Sequence, residues 1–96
     1  MAKVKWLPEA IADIERLYAF LKEKDIEAAG RAIGFILQGS RLLGTSPRLG
    51  RPMPDDTGRR ELFVAFGAGA YVLRYMLVSN ETPVVIRVWH SKEYRE

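Results

Sequence analysis

Three runs of residues, 60–66, 71–78 and 83–89, alternate with a period of two, and that pattern limits the possible folds more than any other feature. Short turns at 67–70 and 79–82 separate them. Strands joined so closely in sequence pair as an antiparallel meander. Three sets carry no charge: Leu62, Val64 and Phe66; Leu73, Tyr75 and Leu77; Val84, Ile86 and Val88. These sets are expected to face a core. The opposite set is Glu61, Phe63, Val72, Arg74, Met76, Val78, Val85, Arg87 and Trp89. A solvent face is ordinarily mostly polar. This one is mostly apolar with three charges set in it, the mark of an interaction surface.

Register adds a second constraint. Pairing Val78 with Pro83 across residues 79–82 places Arg74 directly opposite Arg87. Like charges so placed repel. Glu61, on the neighbouring strand and the same face, is one compensating group. A phosphate or a partner's carboxylate is another.

The first half supplies helices to cover the core face. Val4 and Trp6 share one side of a short strand. Pro8 suits the first position of a helix, and Glu9 and Asp13 suit its positive end. Ile11, Ile14, Tyr18 and Leu21, widened by Ala10 and Leu17, make an apolar stripe ending near Lys24. Leu7 stands where a polar cap is usual. A second helix is expected over 26–43, with Ala29, Ala32, Ile33, Ile36, Leu37 and Leu43 as its stripe. Gly30 and Gly34, one turn apart, suggest close packing against the first helix. Residues 45–58 hold three of the five prolines and read as a loop. In it, Asp55 and Asp56 read as a turn rather than as paired catalytic carboxylates. The fold class is therefore α/β in the α+β sense: an N-terminal strand, an α-helical hairpin and a three-stranded antiparallel meander, with one sheet packed on the helices.

Composition narrows the chemistry. The chain of 96 residues is expected to form one domain over 1–96. It has no cysteine and a single histidine, His90, which excludes disulfides, a Cys nucleophile and a multi-histidine metal site. No metal or other cofactor is expected. No window has the length of a membrane span, and the N-terminus is too polar and short for a signal peptide, so the expected compartment is the cytoplasm. Hydrophobic residues reach 48%, more than so small a core can hide, which points again to a partner. The net charge of +3, with ten Arg against five Lys, permits an acidic partner without demanding one. After the last strand come His90, Lys92, Tyr94 and Arg95. Beside these cations, His90 has the chemistry of an acid/base in RNA cleavage, although a lone His is more often a packing residue.

Several short motifs, in order, carry a resemblance. They are Val4-Lys5-Trp6 followed by Pro8-Glu9-Ala10 and Asp13-Ile14; Pro47-Arg48-Leu49-Gly50-Arg51-Pro52; Arg59-Arg60-Glu61-Leu62; Tyr71-Val72-Leu73-Arg74-Tyr75; and Ile86-Arg87-Val88-Trp89-His90. With these the chain resembles the RelE/ParE toxin superfamily of type II toxin–antitoxin systems, most nearly its ParE-like branch. The resemblance implies a toxin that inhibits DNA gyrase by protein binding and is neutralised in a hetero-oligomer by a ParD-like antitoxin, without membrane or direct nucleic-acid binding. Target contact would then fall to Arg74, Arg87, Trp89, His90, Lys92 and Arg95. Antitoxin contact would fall to Phe63, Val72, Met76, Val85 and Glu61. The alternative within the superfamily is a RelE-like ribosome-dependent mRNA endonuclease. In that case Arg74 and Arg87 would hold phosphate, and His90 or Tyr94 would move the proton.

Overall fold

The computed structural model describes residues 3–93. Its elements run β1 (Lys5–Trp6), α1 (Pro8–Lys22), α2 (Ile26–Thr45), β2 (Arg51–Pro52), β3 (Arg60–Phe66), β4 (Gly69–Val78) and β5 (Thr82–His90), with a 3-10 turn at Ser79–Glu81 before β5. The sheet order is β1-β5-β4-β3-β2. β1 runs parallel to β5, and the other neighbours are antiparallel. This is the expected α+β arrangement, enlarged by β2, a two-residue strand inside the stretch read as loop.

The helical hairpin covers one face of the sheet. Ala10, Leu17, Ala32 and Ile36 of the helices meet Tyr71, Leu73, Val85 and Val88, with Leu62, Val64 and Phe66 packed around them. The core faces of β3 and β4 are therefore as the alternation implies. β5 follows the pattern only from Arg87 onward. Arg74 pairs with Arg87, but the next rung joins Tyr75 to Val85, so Ile86 is an extra residue in a β-bulge. A one-residue slip exchanges the faces of a strand. Val85, expected on the outer face, is instead fully buried against the helices, while Val84 and Ile86, expected in the core, are half-buried. The turn pairs Val78 with Thr82 rather than with Pro83.

Two details of the helices also depart from the stripes. In α1 the buried positions are Ala10, Asp13 and Leu17, whereas Ile11 is 49% exposed. A carboxylate sits inside the stripe because the strands supply donors for it. α1 has no side-chain cap at Leu7; the Leu7 amide instead donates to the Val85 carbonyl at 3.0 Å, so strand pairing fixes the helix entry. In α2, Asp25 caps the amides of Glu27 and Ala28 at 3.0 and 3.1 Å. The packing glycine is Gly39, where an added Cβ would lie 2.7 Å from Val64 Cγ2. Gly30 and Gly34, expected to pack on α1, face open space.

Candidate functional site

The open face of the sheet carries two arginines on one rung, and each has its own acid. Arg74 donates from Nε and Nη2 to Glu61 Oε2 at 3.1 and 2.8 Å. Glu61 faces Arg74 directly across β3 and β4, so the backbone register sets this pair. The Arg74 guanidinium also lies over the Trp89 ring, 4.8 Å from its centroid. On the neighbouring edge, Arg51 lies over the Phe63 ring at 5.3 Å.

Arg87 is held from the other side of β5. Its Nε and Nη2 donate to Asp13 of α1 at 2.7 and 3.1 Å. β1 pairs β5 only at Val84 and Val85. Beyond that point α1 continues the edge with side chains: Asp13 Oδ2 accepts the Val88 amide at 2.9 Å, and Arg16 donates to the Val88 carbonyl at 3.4 Å. Asp13 is 4% exposed. Burial pushes its pKa up, but the Arg87 hydrogen bonds, the Val88 amide and the two nearby guanidinium charges outweigh that and leave it below the ordinary carboxylate range. The repulsion expected between Arg74 and Arg87 is thus relieved by Glu61 on one side and Asp13 on the other. In sequence Asp13 reads as a helix-dipole residue and as part of the Asp13-Ile14 motif, with no strand partner assigned to it. Its signal was a lone carboxylate within the apolar series Ala10, Ile14 and Leu17.

The turn after β5 is closed on itself. His90 Nδ1 accepts the Lys92 amide at 3.1 Å, and the His90 amide donates to Glu93 at 2.7 Å. The imidazole packs edge-on against Tyr71, with centroids 5.1 Å apart, and fills the space beside Gly69. Burial, then the Glu93 charge, raises the Tyr71 pKa. Arg16 joins this end through Glu93 at 2.6 Å. An apolar cavity of about 600 Å³ opens here between α1 and the turn, floored by Leu17, Leu21, Phe66 and Tyr71 and rimmed by His90 and Lys92.

The candidate residues therefore divide. Arg74 and Trp89 form one cluster with Glu61, Arg87 stands across the rung with Asp13, and His90 and Lys92 lie at the end of β5 near the α1 cavity. Phe63 is 47% exposed on the open face, and Met76 is half-buried. Val72 is buried between Phe63 and Trp89 on the adjacent strands, at 2% exposure. Val85, on the core side of the bulge, has no surface to offer. Tyr94 and Arg95 lie outside the described residues. Asp55 forms the turn expected of it, accepting from Thr57 and pairing with Arg59. Among the described residues no group of three His, Asp or Glu side chains could hold a metal ion, and no helix is long and apolar enough to cross a membrane. What the open face presents is a pair of charge-compensated guanidinium groups, one of them, Arg74, over the Trp89 ring.

Comparison with known proteins gives three findings. Residues 4–94 match the family model for the ParE toxin of the type II toxin–antitoxin system, parDE. Two proteins of Caulobacter vibrioides are each 38% identical: Toxin RelE3 over 95 residues, covering 99% of this chain and 100% of the relative, and Toxin RelE1 over 84 residues, covering 86% of each. A solved structure described as the chromosomal ParDE TA system from P. aeruginosa superimposes with a TM-score of 0.74 at 21% identity, covering 92% of this chain and 94% of that one, a likeness of fold.

Proposed function

This chain belongs to the ParE toxin family of type II toxin–antitoxin systems, and we propose that it inhibits DNA gyrase by binding it, without catalysis, and that a ParD-like antitoxin neutralises it. The observation that carries this reading is the state of Arg74 and Arg87. Both guanidinium groups are already engaged by internal carboxylates. A nuclease clamp needs cations free to meet a phosphate, and an acid/base within reach of the same atoms. Here His90 gives Nδ1 to the Lys92 amide and lies at the far end of the rung series. A protein partner needs neither. It could use the stacked Arg74–Trp89 pair, with Phe63 and Val78 (46% exposed) as apolar contacts. An antitoxin partner is supported by the likeness of the fold to a ParDE TA structure.

The relatives named RelE toxins favour a second reading, ribosome-dependent mRNA cleavage. The two are separated by expressing the chain alone and measuring plasmid supercoiling alongside mRNA integrity. Loss of supercoiling with intact message supports gyrase inhibition. Discrete cuts in ribosome-bound message, with supercoiling preserved, support the nuclease.

A further inference from the structure

β3 is an edge strand for most of its length, and the reason lies in the preceding loop. β2 covers only its first rungs, Arg51 opposite Glu61 and Pro52 opposite Arg60. Just before β2 the chain is drawn off the edge, because the Gly50 amide donates to the Tyr75 hydroxyl at 2.9 Å and that hydroxyl donates to the Pro47 carbonyl at 2.7 Å. A Cβ on Gly50 would lie 2.6 Å from the Tyr75 ring, so only glycine permits the diversion.

The parity of the ladder tells which groups this leaves open. The Met53 amide donates to the Arg59 carbonyl at 2.9 Å, so residues 59 and 61 turn their backbone groups toward β2. Bonded residues alternate along an antiparallel strand. Phe63 and Ala65 therefore point the same way, and among the described residues no strand lies opposite them. Alongside runs an apolar trough of about 380 Å³ between α2 and β3, with Gly39 in its floor. Its walls are Phe35, Leu42 and Leu49, exposed by 44, 51 and 49%. On the open face of the same edge Arg51 stacks on Phe63, without a carboxylate partner among the described residues.

We propose that this edge takes an extended segment of the antitoxin as an added strand, continuing the line of β2 and bonding to the backbone of Phe63 and Ala65. Unpaired amides and carbonyls select a strand over a helix. The alternation of a strand requires apolar side chains toward the trough and an acidic one within reach of Arg51. The proposal rests on the antitoxin reading above.

The test uses the full chain co-expressed with its antitoxin, following amide exchange in the isolated chain and in the complex. Protection of the Phe63 and Ala65 amides is expected to rise at least tenfold in the complex. A variant, Ala65→Pro, removes an outward amide that no ladder among the described residues uses, a position where an edge strand tolerates proline. It is expected to keep the wild-type melting midpoint within a few degrees and bind the antitoxin at least tenfold more weakly. A complex in which these amides exchange as in the isolated chain overturns this proposal alone, as does wild-type affinity in a folded Ala65→Pro. Self-association that protects the same amides without antitoxin gives the edge to a second copy and also overturns it. Absence of any complex overturns the antitoxin reading and this proposal with it. If Ala65→Pro does not fold, the exchange measurement decides.

Discussion

Replacing Asp13 by Ala tests the account of the rung arginines most directly. The carboxylate receives two bonds from Arg87 and one from the Val88 amide. Its removal leaves a buried amide without a partner, which costs about 1–3 kcal/mol. It also leaves the Arg87 charge unpaired. Breaking a buried ion pair costs about 3–5 kcal/mol, but the Arg87 side chain is 39% exposed and regains part of its hydration. Together the loss should be about 3 kcal/mol, which in a domain of this size lowers Tm by more than about 12 °C. Asp13→Asn keeps an acceptor for Val88 and should lose roughly half as much. Urea unfolding of both variants provides the measurement. The pH dependence is a second signature. Because the folded pKa of Asp13 is depressed, its contribution is present above the unfolded value of about 3.9 and is lost as pH falls through the folded one. The gap between wild type and Asp13→Ala should therefore be full at pH 7 and shrink steadily below about pH 4. A loss under about 1 kcal/mol, or a gap unchanged down to pH 2, would refute the assignment.

Three further outcomes follow from the same geometry. Gly34→Ala should stabilise the protein by about 0.5–1 kcal/mol, because an exposed helix interior gains from Ala and nothing stands within 4 Å; Gly39→Ala should destabilise it by about 1 kcal/mol, because its Cβ meets Val64. Thermal melts that rank the two the other way would contradict the packing described. Tyr75→Phe should cost about 2 kcal/mol and raise amide exchange at Gly50, since both bonds of the hydroxyl are lost. Arg74→Ala should weaken inhibition of gyrase supercoiling at least tenfold while the protein stays folded; undiminished inhibition would remove Arg74 from the target surface.

Much of this was written in short-range pattern. The faces of β3 and β4 and the role of Glu61 follow from a period of two and a tight turn. The Arg74–Arg87 opposition holds for another reason: the turn pairs Val78 with Thr82, one residue off the expected register, and the bulge at Ile86 restores it. That bulge did not show in the pattern, because no glycine or proline marks it. It therefore passed for regular strand, and the faces of Val84, Val85 and Ile86 were inverted. Asp13 was missed for a different reason. Its partners lie 74 and 75 residues away, and helical periodicity says nothing about which strand edge a helix will meet. Gly30 and Gly34 misled because spacing on a helix shows which residues share a face but not what lies against that face.

The way α1 finishes the outer edge of β5 bears on how the protein behaves in a crowd of its own copies. A bare strand edge is a template on which another chain can grow, and proteins ordinarily hide it under more backbone or break it with proline. This chain covers the Val88 rung with two side chains, one of them a carboxylate. Protonating Asp13 removes the charge that pairs with Arg87 but leaves an oxygen able to accept the Val88 amide, so acid weakens this cover without removing it. In acid the outer edge of β5 is therefore less well guarded against a second chain.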